Sequence, residues 1–309
     1  MNTHCALAFA KINWTLECLD VFPATSSDAG FTQIISLLSL IKLHDKINLN
    51  IKLSKKTEIQ IHSNVDILPQ TRNNNSELNT CYQIITKMID QYPELSQYDF
   101  NVFIEKNIPL GSGLGGSATD AASLIHLINR AFDLNLRIDE IMRLANSVGS
   151  DTAFFASCYP HALIQGRGEQ VTDLNININE KINLLLVKPP FSLTAAEVYQ
   201  SMQKILKRKL SAESSSLKLL QQLKQNPTLL SGIHLMQNDL MQAPIICEKY
   251  PLIIKLCQHL LQGGCLYAQM SGSGSCVYGI TKANLAGDIV QTMKKEFPQC
   301  EFFLSSTHA

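Results

Sequence analysis

From Ala10 to Leu16 polar and apolar residues alternate. Lys11, Asn13 and Thr15 fall on one face and Ala10, Ile12, Trp14 and Leu16 on the other, the period of a half-buried strand. Lys11 and Asn13 therefore project together. A turn-rich break over 21–30 (VFPATSSDAG) leads into an apolar run over 31–43 and a second alternating stretch over 45–53 (DKINLNIKL), which together predict a meandering sheet. Residues 63–79, with Pro69 and Asn73–Asn75, read as loop, and 79–92 carry Tyr82, Ile85 and Met88 at helical spacing. A strand at Phe100–Ile104 ends at Pro109 and a glycine cluster, and a helix opening near Ser117 has Ala121, Leu124, Ile125 and Ile128 on one face. Further on, the pattern predicts a helix over 138–147 closed by Gly149 and a buried strand over 182–187 stopped by Pro189-Pro190. It also predicts a surface helix and loop within 203–226, two helical stretches within 235–262, and a strand, Gly-Ser-Gly-Ser turn and strand over 265–280. Strands and helices mix without strict βα alternation, so the expected class is α+β.

Composition narrows the setting. The 309 residues are 45% hydrophobic and 17% charged, enough apolar chain for one large or two intimate domains, which excludes a disordered or fibrous chain. Lys+Arg and Asp+Glu are both 26, so neither duplex nucleic acid nor an anionic membrane is expected as the partner, and any bound anion must be held by a local site. Nine scattered cysteines without a C-x-x-C pair read as reduced thiols packed as small hydrophobes, and the eight histidines form no pair at metal-ligand spacing. No signal-like start and no apolar stretch of spanning length is visible, so the expected location is cytoplasmic.

The segment 108–122 (IPLGSGLGGSATDAA) carries the most chemistry. Gly111, Gly113, Gly115 and Gly116 precede small helix formers and leave bare amides at a helix N-terminus, where the dipole and the N–H groups favour phosphate. Ser112, Ser117 and Thr119 add hydroxyls able to reach phosphate oxygens or a Mg²⁺ ion. The segment lacks the G-K-[ST] ending of a P-loop, and no βαβ unit with a following acidic residue supports a dinucleotide fingerprint. A plain strand-to-helix connection would use glycines too, but has little need of Pro109 and spaced hydroxyls.

This loop, the N-terminal A-K-I-N strand and the C-terminal M-S-G-S-G-S-C-V segment together resemble the three-motif pattern of the GHMP kinase superfamily. The likeness runs almost end to end: Ala10-Lys11-Ile12-Asn13, Asn79, Ile108 to Ala122, Val148-Gly149-Ser150-Asp151, Gly166-Arg167-Gly168-Glu169, Lys188-Pro189-Pro190 with Thr194 to Tyr199, Asn238-Asp239-Leu240, and Ser271-Gly272-Ser273-Gly274. It implies two subdomains, an ATP-binding part over 1–160 and a substrate part over 161–309, with the active site in the cleft between them. Within the superfamily the segments are most similar to the kinases that phosphorylate the 2-hydroxyl of 4-diphosphocytidyl-2-C-methyl-D-erythritol in non-mevalonate isoprenoid synthesis. ATP and Mg²⁺ are then the expected cofactors, and a monomer or homodimer the expected state. Homoserine or a mevalonate derivative as acceptor, or a nucleotide sensor without turnover, are the alternatives.

The resemblance also assigns roles. Asp151 is the general base and Lys11 the cation that neutralises it and steadies the attacking oxygen; from the residues alone, Asp151 also fits a helix N-cap and Lys11 a solvated strand position. Asn79, Lys106, Pro109, Gly111, Ser112, Gly113, Leu114, Gly115, Gly116, Ser117, Ala118 and Thr119 are the expected ATP-binding residues, with Thr119 on the Mg²⁺ side. Asn79 as a helix cap and Lys106 as a surface charge remain open. Asn13, Phe31, Thr32, Tyr199, Gly272, Ser273 and Gly274 are expected to hold the acceptor, although the last three also fit an ordinary hairpin. Two departures stand out: the stretch Asp28 to Thr32 has Phe31 and Thr32 where the family has D-G-Y-H, and Ser117-Ala118-Thr119 replaces Gly-Ser-Ser. Phe31 retains a ring able to stack on a base, opposite Tyr199, or packs into the core ahead of the apolar run; Thr32 loses the imidazole.

Overall fold

The computed structural model describes residues 2–65, 79–178, 180–206, 211 and 213–308. The loop expected over 63–79 therefore lies outside the described residues from 66 to 78, as do 207–210 and 212 of the patch at 203–226. The chain forms two compact units, Met1–Ala10 with Leu43–Ile108 and Gly115–Tyr159, and Lys11–Lys42 with Pro109–Leu114 and Pro160–Ala309. Among the described residues no helix is long and apolar enough to cross a membrane.

In the first unit, β1 (Asn2–Val21) and β2 (Thr32–Leu53) contribute their outer portions, followed by β3 (Ile59–Ser63), α1 (Thr80–Gln91), β4 (Tyr98–Glu105), α2 (Gly116–Ala131), α3 (Ile138–Asn146) and α4 (Ser150–Ala156). β4 pairs antiparallel with β2 from Lys46↔Glu105 to Leu53↔Tyr98, and parallel with β3. Its alternation buries Phe100, Val102 and Ile104 and leaves Asn101 and Phe103 exposed, the period of a sheet with one face on a core. α2 buries Ala121, Ala122, Leu124, Ile125, Leu127 and Ile128, a stripe wider than the four-residue face expected from sequence. The apolar run over 31–43 and the alternating stretch over 45–53 are parts of one 22-residue strand, β2. Asp45, at the start of the second stretch, is fully buried there because Lys106 and two backbone amides satisfy it.

The second unit adds β5 (His161–Gly166), β6 (Gln170–Asp173), β7 (Asn183–Lys188), α5 (Ala195–Gln203), α6 (Ser215–Gln225), β8 (Gln237–Asn238), α7 (Pro244–Glu248), α8 (Leu252–Gln262), β9 (Tyr267–Met270), β10 (Val277–Thr281), α9 (Ala286–Glu296) and β11 (Glu301–Ser306). Here one sheet has the order β6-β5-β2-β1-β8, with β8 parallel to β1, and a second has the order β11-β7-β10-β9, antiparallel throughout. Trp14 and Tyr278 meet edge to face at 6.1 Å in its core, and both are buried. The start of α6 is anchored by Glu17, whose carboxylate accepts from the Ser214 hydroxyl at 2.6 Å and from the Ser215 and Ser216 amides. Burial alone would raise the Glu17 carboxyl, but these donors favour its charged form and the net shift is downward. Mixed parallel and antiparallel sheets with helices make this an α+β fold, as the lack of βα alternation in the sequence predicts.

Candidate active site

Three segments remote in sequence meet in the second unit. Lys11 and Asn13 do project together from β1: the Lys11 ammonium donates to Asn13 Oδ1 at 2.8 Å, and Asn13 Nδ2 in turn donates to Ser36 Oγ at 2.9 Å. Both residues are only 3% exposed, so Lys11 is a buried lysine and not a solvated strand residue. The backbone N–H of Lys11 donates to the Leu114 carbonyl at 3.0 Å, which fixes the glycine loop against β1.

The β9–β10 turn closes on the same place. Ser275 N donates to the Gly111 carbonyl at 3.2 Å and Cys276 N to the Ser112 carbonyl at 3.0 Å, while Ser271 Oγ donates to the Gly113 carbonyl at 3.2 Å. Gly113 has φ +74°, and a Cβ built there would overlap the Ser271 carbonyl oxygen and lie 2.9 Å from Gly274 N. Gly272 has φ +54°, and its Cβ would come within 2.9 Å of the Lys11 ammonium. At Gly113 left-handed backbone and close approach to backbone atoms coincide, so only glycine fits, and at Gly272 the left-handed backbone favours glycine. The Gly-Ser-Gly-Ser segment is thus the partner of the first glycine loop as well as a hairpin turn. Asn238 holds it from below, donating from Nδ2 to the Met270 and Gly272 carbonyls at 2.8 Å each. Ser192 and Lys188 do the same for the loop after β7: Ser192 Oγ donates to the Leu110 carbonyl at 3.2 Å, and the Lys188 ammonium donates to the Pro189 and Phe191 carbonyls.

In the first unit α2 opens at Gly115, which serves as N-cap with φ +80° and offers no side-chain acceptor to the first amides of the helix. Ser117 is exposed and Thr119 buried; the Ser117 carbonyl accepts from Thr80 Oγ1. Asn79 caps α1, its Oδ1 accepting from the Cys81 and Tyr82 amides. Lys106 is no surface charge: it is 7% exposed, and its ammonium pairs with Asp45 and, at 2.7 Å, with Asp120. Burial pulls the Lys106 ammonium down, but the two carboxylates outweigh it and the net shift is upward. Burial raises the Asp120 carboxyl to about 7, against the pull of Lys106 and helped by the Asp45 charge. Asp45 also accepts from the Asn107 and Ile108 amides at 2.6 and 2.7 Å. The triad therefore ties the end of β4 to the first turns of α2. Asp151 is exposed in the first turn of α4, whose N-cap is Gly149, so Asp151 is not the capping residue.

The loop before β2 holds an aromatic ring open to solvent. Phe31 is 52% exposed and not part of the core, with the Arg167 guanidinium 5.3 Å from its ring centroid. Arg167 is held in turn by Asp28 at 3.2 Å. Thr32 is buried and its hydroxyl accepts from Gln203 Nε2 at 2.9 Å; Tyr199 lies one turn earlier on α5.

Two family models match the chain: the GHMP kinases N terminal domain over residues 79–158 and the GHMP kinases C terminal domain over 216–299. A 4-diphosphocytidyl-2-C-methyl-D-erythritol kinase of Thermodesulfovibrio yellowstonii is 36% identical over 277 residues, covering 88% of each chain. The chain belongs to the GHMP kinase family. A kinase of the same name from Syntrophomonas wolfei is 32% identical, covering 88% of this chain and 87% of the relative. A crystal structure of 4-(cytidine 5'-diphospho)-2C-methyl-D-erythritol kinase superposes with a TM-score of 0.71 at 18% identity, over 99% of this chain and all of the other, and so has the same fold. As a GHMP kinase the chain is an ATP-dependent small-molecule kinase.

Several side chains that fix these segments within their own units were not picked out as site residues from sequence. Asp45, Asp120, Asn238 and Gln203 act through partners distant in the chain, whereas Lys188 holds the carbonyls of its own loop. Asp120, Lys188 and Asn238 carried a signal through family likeness, in the segments Ile108 to Ala122, Lys188-Pro189-Pro190 and Asn238-Asp239-Leu240, but without a role.

Proposed function

We propose that this chain transfers the γ-phosphoryl group of ATP to the 2-hydroxyl of 4-diphosphocytidyl-2-C-methyl-D-erythritol. It would work in the cytoplasm as a monomer or homodimer, with residues 1–160 serving mainly the nucleotide and 161–309 mainly the acceptor. The observation that carries the reading is the 36% identity over 88% of the chain to a kinase of that name. The paired glycine loops and the half-exposed Phe31 support it, as a phosphate cradle and a stacking surface for a base.

The amides at the start of α2, with those of the loop from Gly111, receive the phosphates, with Pro109, Leu114, Ala118, Asn79 and Lys106 framing the nucleotide. The acceptor oxygen forms its bond to the γ-phosphorus as the bond to the β–γ bridging oxygen breaks. The proton of the acceptor hydroxyl passes to the Asp151 carboxylate. Lys11, steadied by Asn13, balances the negative charge at the reacting oxygens. Phe31, Thr32 and Tyr199 take the base, and Gly272, Ser273 and Gly274 the diphosphate.

Among the described residues no three His, Cys, Asp or Glu side chains form a metal cage. The available donor, the Thr119 hydroxyl, suits a Mg²⁺ ion held mainly by nucleotide phosphates. Bound there, the ion would shield the charge of the β- and γ-phosphates.

The test is acceptor labelling. Labelled ATP is incubated with the chain and the cytidyl-methylerythritol substrate, homoserine or mevalonate; label on either of the latter two alone overturns the acceptor assignment. Asp151→Asn should lower transfer by about 10²- to 10⁴-fold with ATP affinity retained, and near-normal turnover in that variant overturns the base.

A further inference from the structure

One side chain fastens the loop carrying Phe31 to helix α5. Gln203 is the last residue of α5, one turn beyond Tyr199. Its Nε2 donates to the Gly30 carbonyl at 3.0 Å and to Thr32 Oγ1 at 2.9 Å, so the two bonds straddle Phe31. The Gly30 carbonyl has no proton to give, which fixes the amide with its NH₂ toward the loop. Oε1 is then the free end, with no hydrogen-bond partner among the described residues. Phe31, the residue between the two bonded ones, carries a ring whose exposure is 52%, with the Arg167 guanidinium 5.3 Å from its centroid and paired with Asp28.

We propose that Gln203 is a specificity residue: its Oε1 accepts from the exocyclic amino group of a pyrimidine stacked on Phe31, so that the chain selects cytosine over uracil. The inference rests on the cytidyl acceptor proposed above and adds a residue that reads the base. Cytosine presents an amino donor at C4, whereas uracil presents a carbonyl whose lone pairs would oppose those of Oε1. An acceptor whose own donors are already committed cannot turn over to suit uracil without giving up both loop bonds. Thr32 thereby serves the base indirectly, by holding the amide that meets it, which gives the position a use without an imidazole.

Equilibrium binding of CDP and UDP to the full chain tests this, with ATP binding as a control for folding. Wild type should bind CDP about tenfold or more tighter than UDP, the worth of one such hydrogen bond. Q203L should lose CDP affinity with little change for UDP. Q203E keeps an acceptor oxygen but cannot donate to Gly30 or Thr32 and so is no longer held in place; it should bind CDP more weakly than wild type while keeping part of the CDP preference that Q203L loses. If Q203L retains that preference, or if Q203E and Q203L lose it alike, Gln203 does not read the base. If wild type binds ATP but neither CDP nor UDP, the cytidyl acceptor itself fails and this inference falls with it.

Discussion

Replacing Gly113 by alanine tests whether the two glycine loops are built against each other. At φ +74° an alanine adopts a left-handed conformation, at a cost of roughly 1–2 kcal/mol. Its Cβ would also overlap the Ser271 carbonyl oxygen and press on Gly274, and because those neighbours are backbone no rotamer change relieves the clash. Overpacking of this kind costs about 1–3 kcal/mol, so Gly113→Ala should lose about 2–5 kcal/mol in all. Gly30 provides the control: at φ +86° its alanine would suffer the same conformational penalty, yet its Cβ meets nothing within 4 Å. Urea unfolding followed by tryptophan fluorescence is well suited to the comparison. Trp14 is the chain's single tryptophan and is buried in the same unit as both glycines. Equal losses for the two variants would refute close packing between the loops, since only conformational cost would then be felt.

Two further outcomes follow from buried charge. Lys106→Met leaves Asp45 and Asp120 buried without their cation and should cost about 3–5 kcal/mol of stability, partly recovered by adding Asp120→Asn; a loss below about 1 kcal/mol in thermal or urea melts would contradict the triad. His161 is buried, its Nδ1 2.6 Å from Ser39 Oγ, which also accepts from Trp14 Nε1. Burial lowers the imidazole from 6.5 to about 4, so its contribution is complete above 6.5 and is lost as the pH falls toward 4. At about 1.4 kcal/mol per pH unit the loss amounts to about 3 kcal/mol, and in His161→Gln the urea midpoint should stay more nearly level over that window.

What could be read from the sequence was mostly what local periodicity encodes. The alternation in β1 put Lys11 and Asn13 on one face, and they are found 2.8 Å apart. The helices α1 and α3 begin and end, and α2 begins, within a few residues of expectation, because amphipathic spacing and the glycine boundaries are local signals. That the stretches at 31–43 and 45–53 form one strand was not legible for an equally clear reason: the burial of Asp45 depends on Lys106 and the amides that follow it, 61 to 63 residues away. α4, β11 and the small strands β5 and β6 carry too short a period to stand out. At the site, family likeness supplied residue names, whereas geometry supplied their partners. Nothing in the sequence joins Gly113 to Ser271, or Gln203 to Gly30 and Thr32 at separations of 173 and 171 residues.

The backbone bonds from Ser275 and Cys276 to Gly111 and Ser112, and from Lys11 to Leu114, make three distant stretches of chain one mechanical piece. A graft that imports the 109–114 segment from a distant relative would bring carbonyls cut to fit someone else's turn. Exchange should therefore succeed only when the 271–276 turn travels with it, so that the two stretches are inherited as a matched pair.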